Sequence, residues 1–389
     1  MHILILPSWY PAHPGDPFGS FFREQALAIQ GAGCKVGVLA PRLVSLVSPL
    51  SSIRASFSVQ FDLDEGIPTY RKASVNWTPR FWRAIARRIS SSGWQLYQEY
   101  CEKYGRPDII HVHSTIMSGV AARIILERDG VPFVVSEHAS AYARGQVPPV
   151  GKEIVRCVAE KASQKFAVST HFCRLLEKSL DLSPNSYSCM PNMVDRAFLD
   201  EPLNYRAGRQ KRFLHVSMLD RNKNVSLILK AFHDAFAGDM NFSLTIGGVG
   251  PELPSLIALT KELKIEPQVS FLGRLNREEV RKEMAQADAF LLSSDYETFG
   301  VVLVEAMAMG LPVVATRCGG PEDIVREQTG LLAPIGDVCA YAAAMKEVVL
   351  GRSHWNAQTM RSICIAEYGP DAIAARWLDV YDRVVYREE

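Results

Sequence analysis

The chain alternates short runs of consecutive apolar residues with longer stretches in which apolar residues recur every three or four positions. Runs of the first kind read as strands buried on both faces, and stretches of the second as helices with one face on a core. HILIL at residues 2–6 leads into a loop rich in Pro and Gly, PSWYPAHPGDPFGS, and then into the helical pattern SFFREQALAIQGAG. Residues 34–40 read as the next strand. Strand, glycine-bearing loop, helix and strand make a right-handed crossover unit. The rhythm returns in PDIIHVH, in VPFVVSEHAS and in KFAVSTHFCRLLEKSL. In the second half it recurs in FLHVSML, FSLTIGGVGPE, VSFLGRL and TGLLAPIGD, separated by helical patterns. Such alternation in both halves predicts two doubly wound α/β domains, and 389 residues can supply a core for each. Residues 41–78, rich in Ser and Pro, carry no pattern that fixes an element.

The stretch from 291 to 320, LLSSDYETFGVVLVEAMAMGLPVVATRCGG, is the most informative. It predicts a strand at 288–292, a polar turn at 293–297, a helix over 300–309 closed by Gly310, and a strand at 312–316. Two carboxylates frame it: Glu297 lies in the turn, and Glu305 lies about one and a half turns up the helix. A helix N-terminus presents unpaired N–H groups and partial positive charge to a phosphate, while a carboxylate accepts from pairs of sugar hydroxyls. A sugar diphosphate has both parts. The plainer alternative makes Glu297 a helix cap and Glu305 a solvated residue, although Val302, Leu303, Val304, Ala306 and Met307 leave Glu305 little polar company.

A Glu, seven residues and a second Glu within SSDYETFGVVLVEAMAMGLPVVAT closely resembles the signature of the retaining glycosyltransferases of family four, which have the GT-B fold. The resemblance extends over nearly the whole chain. It implies two Rossmann-like doubly wound domains facing across a cleft that holds the active site. The first, acceptor-side domain would span 1–200 and be completed by a returning helix at 370–389; the second, nucleotide-sugar domain would span 201–369. By position, Glu297 would contact the donor sugar and Glu305 the ribose, with Thr298, Phe299, Gly300 and Val301 at the phosphates. In the first domain the resemblance carries a catalytic role near the donor sugar to His138, alongside Glu297 and Lys223, donor contact to Gly19, and an acceptor side to Asp16, Phe18 and His113. Both histidines follow apolar runs, and ligands of open α/β sheets collect at the carboxyl ends of strands. In the second domain Lys223 matches a cation that grips the diphosphate. Met218 and Ser217 stand where the family has Arg and Gly, a departure that leaves Arg221 as a candidate replacement. Gly248 and Gly250 match a turn near the phosphates, and Leu272 an edge of the base site.

The implied reaction is metal-independent transfer of a hexose from a UDP or GDP sugar to an acceptor hydroxyl with retention of configuration. The implied setting is bacterial cell-surface polysaccharide or lipid-linked glycan synthesis, with no further cofactor. A nucleotide-sugar 2-epimerase and an inactive nucleotide-sugar-binding homologue remain as alternatives, the latter because of Met218. The first turn lacks GxGxxG, so the dinucleotide fingerprint is absent.

Composition narrows the setting. A net charge of +1 excludes a global attraction to nucleic acid. Eight scattered cysteines show no zinc spacing and suit a reducing compartment, so a cytoplasmic location is expected. No apolar run approaches the ~18 residues of a membrane span. One segment is densely basic and aromatic: a short helix predicted over 80–89 carries Arg80, Arg83, Arg87 and Arg88 with Phe81 and Trp82, and Trp77 and Trp94 flank it. That pattern suits peripheral docking on an anionic inner leaflet, and equally a surface helix packed on the first core.

Overall fold

The computed structural model describes residues 1–13, 16, 19–45, 58–203, 210–351 and 355–386. Phe18 lies outside the described residues. The chain divides into two units, Met1–Pro191 with Asp371–Glu389, and Asn192–Pro370. Residues 192–200 therefore belong with the second unit, where the sequence reading had put them with the first.

The first unit is built on β1 (His2–Pro7), β2 (Lys35–Val44), β3 (Gln60–Asp64), β4 (Ile67–Val75), β5 (Ile109–His113), β6 (Phe133–Glu137), β7 (Gln164–Ala167) and β8 (Ser188–Cys189). Their order in the sheet is β3-β4-β2-β1-β5-β6-β7-β8. All neighbours are parallel except the β3–β4 hairpin. Residues 41–78 thus carry the end of β2 and this hairpin. Phe61 and Leu63 of β3 are exposed, so no buried apolar run announces that edge strand.

The helix predicted over 80–89 begins at Trp82 and continues to Tyr104, which leaves Arg80 in the preceding turn and brings Trp94 inside. The run Ser90-Ser91-Ser92-Gly93 hides this continuation, because these are poor helix formers. Gly93 is required by close packing: a Cβ there would lie 2.3 Å from Ala121 Cβ of the Thr115–Asp129 helix. The final helix, Pro370–Tyr386, buries Trp377 and Tyr381 against this unit. Trp377 lies 4.1 Å from His111 and 5.0 Å from Phe166, centroid to centroid.

The second unit holds β9 (Lys211–Val216), β10 (Phe242–Gly247), β11 (Val269–Gly273), β12 (Ala289–Leu292), β13 (Val313–Thr316) and β14 (Gly330–Ala333). All are parallel, in the order β11-β10-β9-β12-β13-β14. Phe213, Phe232, Phe236 and Phe242 stack through its core, the last two with centroids 4.1 Å apart. β9 pairs with β10 on one side and β12 on the other, so the strand order reverses there and opens a crevice at the carboxyl ends. Among the described residues no helix is long and apolar enough to cross a membrane.

Three histidines are fully buried at strand ends. Burial first, and neighbouring imidazoles second, hold His111 and His113 well below the usual imidazole range. Burial brings His215 down to about 4. In the unfolded chain these groups titrate near ~6.5, so below that pH the unfolded state binds more protons than the folded one. Their stabilisation is complete above that value and is lost as pH falls below it, at up to about 1.4 kcal/mol per pH unit for each group. Calorimetric melting between about pH 7.5 and 5, above the main carboxylate range, is expected to show both units losing stability below about pH 6.5. Transitions that stay flat across this range would contradict the buried neutral histidines.

Candidate active site

The loops that leave β9 and β12 meet at the reversal of strand order. After β9, residues 217–220 lead into a 3-10 turn, Arg221–Lys223, and Asn224 turns left-handed at φ 44° to start the Val225–Phe236 helix. Asp220 caps the short turn, its carboxylate accepting from Lys223 N at 3.1 Å. The two loops are tied directly: Asp295 N donates to Asn222 O at 2.8 Å, Asn222 Nδ2 to Tyr296 O at 3.0 Å, and Ser293 Oγ to Lys223 O at 2.7 Å. Within this brace Lys223 Nζ donates to Glu297 Oε1 at 2.5 Å, and Ser294 Oγ donates to the same oxygen at 2.7 Å. Both side chains are mostly buried, with 21% and 14% of their surface exposed.

Glu297 is also clamped through its backbone. Its N–H donates to Cys318 O at 3.0 Å and its carbonyl accepts from Gly320 N at 2.9 Å. Gly320 fits because a Cβ there would stand 2.3 Å from Phe299 O. Burial pushes the neighbouring Cys318 thiol up to about 12, so it remains protonated at neutral pH. Past Thr298 and the buried Phe299, Gly300 turns with φ 103° into the Val301–Ala308 helix, whose first N–H groups have no side-chain cap. Glu305 is mostly buried on that helix, 3.9 Å from Arg277 Nη2, and Arg277 also lies 3.2 Å from Asp195. A cation in the first turn of a helix, as Arg277 is, is disfavoured by the helix dipole and is held here by carboxylates.

The glycine turn after β10 interlocks with the loop after β9. Leu219 N donates to Val249 O and Glu252 N to Leu219 O, both at 3.0 Å. A Cβ on Gly248 would lie 1.8 Å from Ser217 O, and one on Gly250 2.2 Å from Leu219 O. These glycines are therefore demanded by loop packing, whatever else they serve. Below them His215 Nδ1 lies 2.9 Å from Leu291 O, a pure acceptor, so it carries the proton; neutral Nε2 then accepts from Ser217 Oγ at 2.7 Å.

The remaining predicted residues are scattered. Arg221 projects into solvent, 94% exposed, with Glu252 at 3.7 Å, and does not join the Lys223–Glu297 pair. Met218 is 62% exposed. Leu272 sits on β11, partly exposed. In the first unit Gly19 turns at φ 81° into the Ser20–Gly31 helix against Trp9 and Tyr10. Asp16 accepts from Ala12 N at 3.0 Å. Glu137, fully buried, accepts from Thr115 N at 2.9 Å and from His138 N and Ala139 N at 3.0 Å, which fixes the backbone that carries His138. Ser136 Oγ lies within 3.0 Å of His111 Nε2, His113 Nδ1 and His138 Nε2, and His111 Nδ1 reaches Tyr381 Oη at 2.6 Å. His113 has no exposed surface, and its Nδ1 lies 3.2 Å from His138 Nε2.

Ser136, Ser294 and Arg277 were not singled out from the sequence. Ser136 lies two positions before His138, which directly follows β6, and Ser294 stands in the polar turn beside Glu297; both signals were legible. Among the described residues no group of three His, Cys, Asp or Glu is gathered as a metal site.

Comparison with known proteins bears on this arrangement. Residues 203–362 match the family described as "Glycosyl transferases group 1", and residues 19–192 match "Glycosyl transferase 4-like domain". The chain is 30% identical over 247 residues to N-acetyl-alpha-D-glucosaminyl L-malate synthase of Bacillus anthracis, a match covering 60% of this chain and 63% of that one. It is 26% identical over 366 residues to glycogen synthase of Mycobacterium tuberculosis, covering 90% of this chain and 86% of that one. In fold it is similar to sucrose-phosphate synthase from Thermosynechococcus elongatus, with a TM-score of 0.73, 20% identity and 100% of each chain covered. Two family matches in tandem, over two parallel-sheet units, show that the chain belongs to the group 1, family-four-like glycosyltransferases of GT-B fold, enzymes that transfer a sugar from a nucleotide-sugar donor.

Proposed function

We propose that this protein moves a hexose from a UDP or GDP sugar to an acceptor hydroxyl on a glycan or lipid-linked glycan, with retention of anomeric configuration. The observation that carries this reading is the Lys223–Glu297 pair at the reversal of strand order, beside the uncapped start of the Val301–Ala308 helix. When donor binds, Lys223 exchanges Glu297 for the diphosphate, and Glu297 is released to accept from sugar hydroxyls. The N–H groups from Thr298 to Val301 and the Gly248–Gly250 turn meet the phosphates, and Leu272 edges the base. Glu305 exchanges Arg277 for the ribose hydroxyls. Gly19 and His138 contact the donor from the first unit, and Asp16 lies on the acceptor side. The bond from the anomeric carbon to the diphosphate oxygen breaks, the acceptor oxygen bonds that carbon, and its proton passes to a phosphate oxygen. Lys223 and the helix start offset the charge that develops on the leaving group, so no metal ion is called for.

Glu297→Ala is expected to remove most turnover with a modest loss of nucleotide affinity, and Glu305→Ala to raise the donor KM while sparing kcat. Nucleoside diphosphate release, with acceptor and with excess EDTA, measures both. Equal small losses from the two changes, or a reaction abolished by EDTA, would sink these roles.

We further propose docking on an anionic membrane surface through the segment around the start of the Trp82–Tyr104 helix. Trp77 and Phe81 are 59% and 68% exposed, and a groove of about 480 Å³ nearby is lined by Arg83, Arg87, Arg123, Arg128 and Trp94. Arg80 leads into the helix, whereas Arg88 donates to Val75 O and so serves the fold. Each basic residue at such a surface contributes roughly 1 kcal/mol. Sedimentation with phosphatidylglycerol vesicles should show binding that falls steeply with salt and is lost on reversing Arg83 and Arg87 to Glu. A wild-type protein that ignores these vesicles at low salt would leave the helix a packing element only.

A further inference from the structure

The first sheet has a gap at the carboxyl end of β1. The last β1–β2 pair is Ile5 with Val38, while β2 runs on to Val44 beside β4. Residues 39–44 therefore have a strand on one side only, a place where Pro41, lacking an N–H, is tolerated. Described residues of the loop after β1 and of β2 line a crevice of about 530 Å³ beside this gap. That volume is within the range of small-molecule sites, and so is its make-up of apolar walls with a few polar groups. Trp9, Tyr10 and Met117 supply apolar surface; Asp16, Arg42 and Arg71 supply charge.

The two arginines differ in kind. Arg71 is 8% exposed and braced: Nη1 donates to Asp62, Nη2 donates to Pro11 O at 3.1 Å, and Asp64 lies 3.6 Å from Nη2. Its Nε is buried and has no acceptor. Arg42 is exposed on β2, and no carboxylate or hydrogen-bond acceptor engages its side chain among the described residues. A guanidinium fork without a carboxylate, lining a half-enclosed crevice, matches a planar or tetrahedral oxyanion. Asp16 and the Trp9 ring suit the hydroxyls and the apolar face of an attached sugar.

We infer that this crevice binds the anionic group, a carboxylate or a phosphate, of the acceptor. That it is the acceptor rests on the transferase reading; that the crevice selects an oxyanion does not. The test uses the full chain and two matched pairs of probes, methyl glucuronide against methyl glucoside and glucose 6-phosphate against glucose, each titrated calorimetrically. The charged member of at least one pair is expected to bind roughly tenfold tighter than its neutral partner. Arg42→Ala should erase that preference, and Arg42→Lys, which keeps the charge without the fork, should retain part of it. The pair that shows the preference distinguishes carboxylate from phosphate. No binding of either charged probe, equal binding within both pairs, or a preference unchanged in Arg42→Ala would overturn the inference. Thermal shift of the wild type with nucleotides is run alongside. If no nucleotide stabilises the protein, the transferase reading fails while the result from the probe pairs stands on its own.

Discussion

Lys223 and Glu297 stand 74 positions apart, and what joins them is the adjacency of β9 and β12. Both strands end at the same edge of a parallel sheet, so the loops that follow must share one crevice. An ion pair there is sheltered from water on the protein side and open on the ligand side. Taking two charges partly out of water costs free energy unless each finds a partner and its remaining lone pairs are met. Ser294 serves Glu297 in this way, and Asp220 caps the turn from which Lys223 reaches it. The pair is therefore stable without ligand, yet it can be exchanged for a ligand of matching charge. On the proposed reading diphosphate is such a ligand, offering Lys223 a second anion while sugar hydroxyls offer Glu297 new donors.

The crevice keeps its shape because its loops are locked by backbone contacts. Gly248, Gly250 and Gly320 are positions where any Cβ would strike a carbonyl oxygen. Close backbone approach to phosphate and close backbone packing ask for the same residue, so the glycine alone does not say which was selected. The first unit follows the same plan with different chemistry. Glu137 and Ser136 at the end of β6 hold three imidazoles in a buried cluster, with Tyr381 of the last helix closing it. Both units gather polar groups at carboxyl ends of strands, while the amino ends carry contacts of their own, such as Lys211 with Asp288 and His2 N with Asp108.

Much of this was legible in the sequence. Runs such as HILIL and PDIIHVH are buried on both faces, so consecutive apolar residues marked the central strands to within a residue or two. The edge hairpin was not legible, since Phe61 and Leu63 face solvent and Pro68 interrupts its second strand. The Trp82–Tyr104 helix was cut short because Ser90 to Gly93 favour a loop locally and are helical only through contact with a neighbouring helix. At the candidate site, the family resemblance pointed to the two glutamates and Lys223, but not to their partners. The Arg277–Glu305 contact depends on how the chain folds back, which no local pattern encodes, whereas Ser294 stands in the same turn as Glu297. Arg221 looked like a substitute cation because it is close in sequence; the 3-10 turn points it away from Lys223 and toward Glu252.

The central claim, that Lys223 is held by Glu297 until a diphosphate replaces it, is tested most directly by nucleotide affinity. The nucleotide that most stabilises the wild type would be titrated as diphosphate and as monophosphate into wild-type protein and Lys223→Met. The account predicts that the diphosphate loses at least about tenfold in affinity on substitution while the monophosphate changes little. Equal losses for both, or none for either, would contradict it.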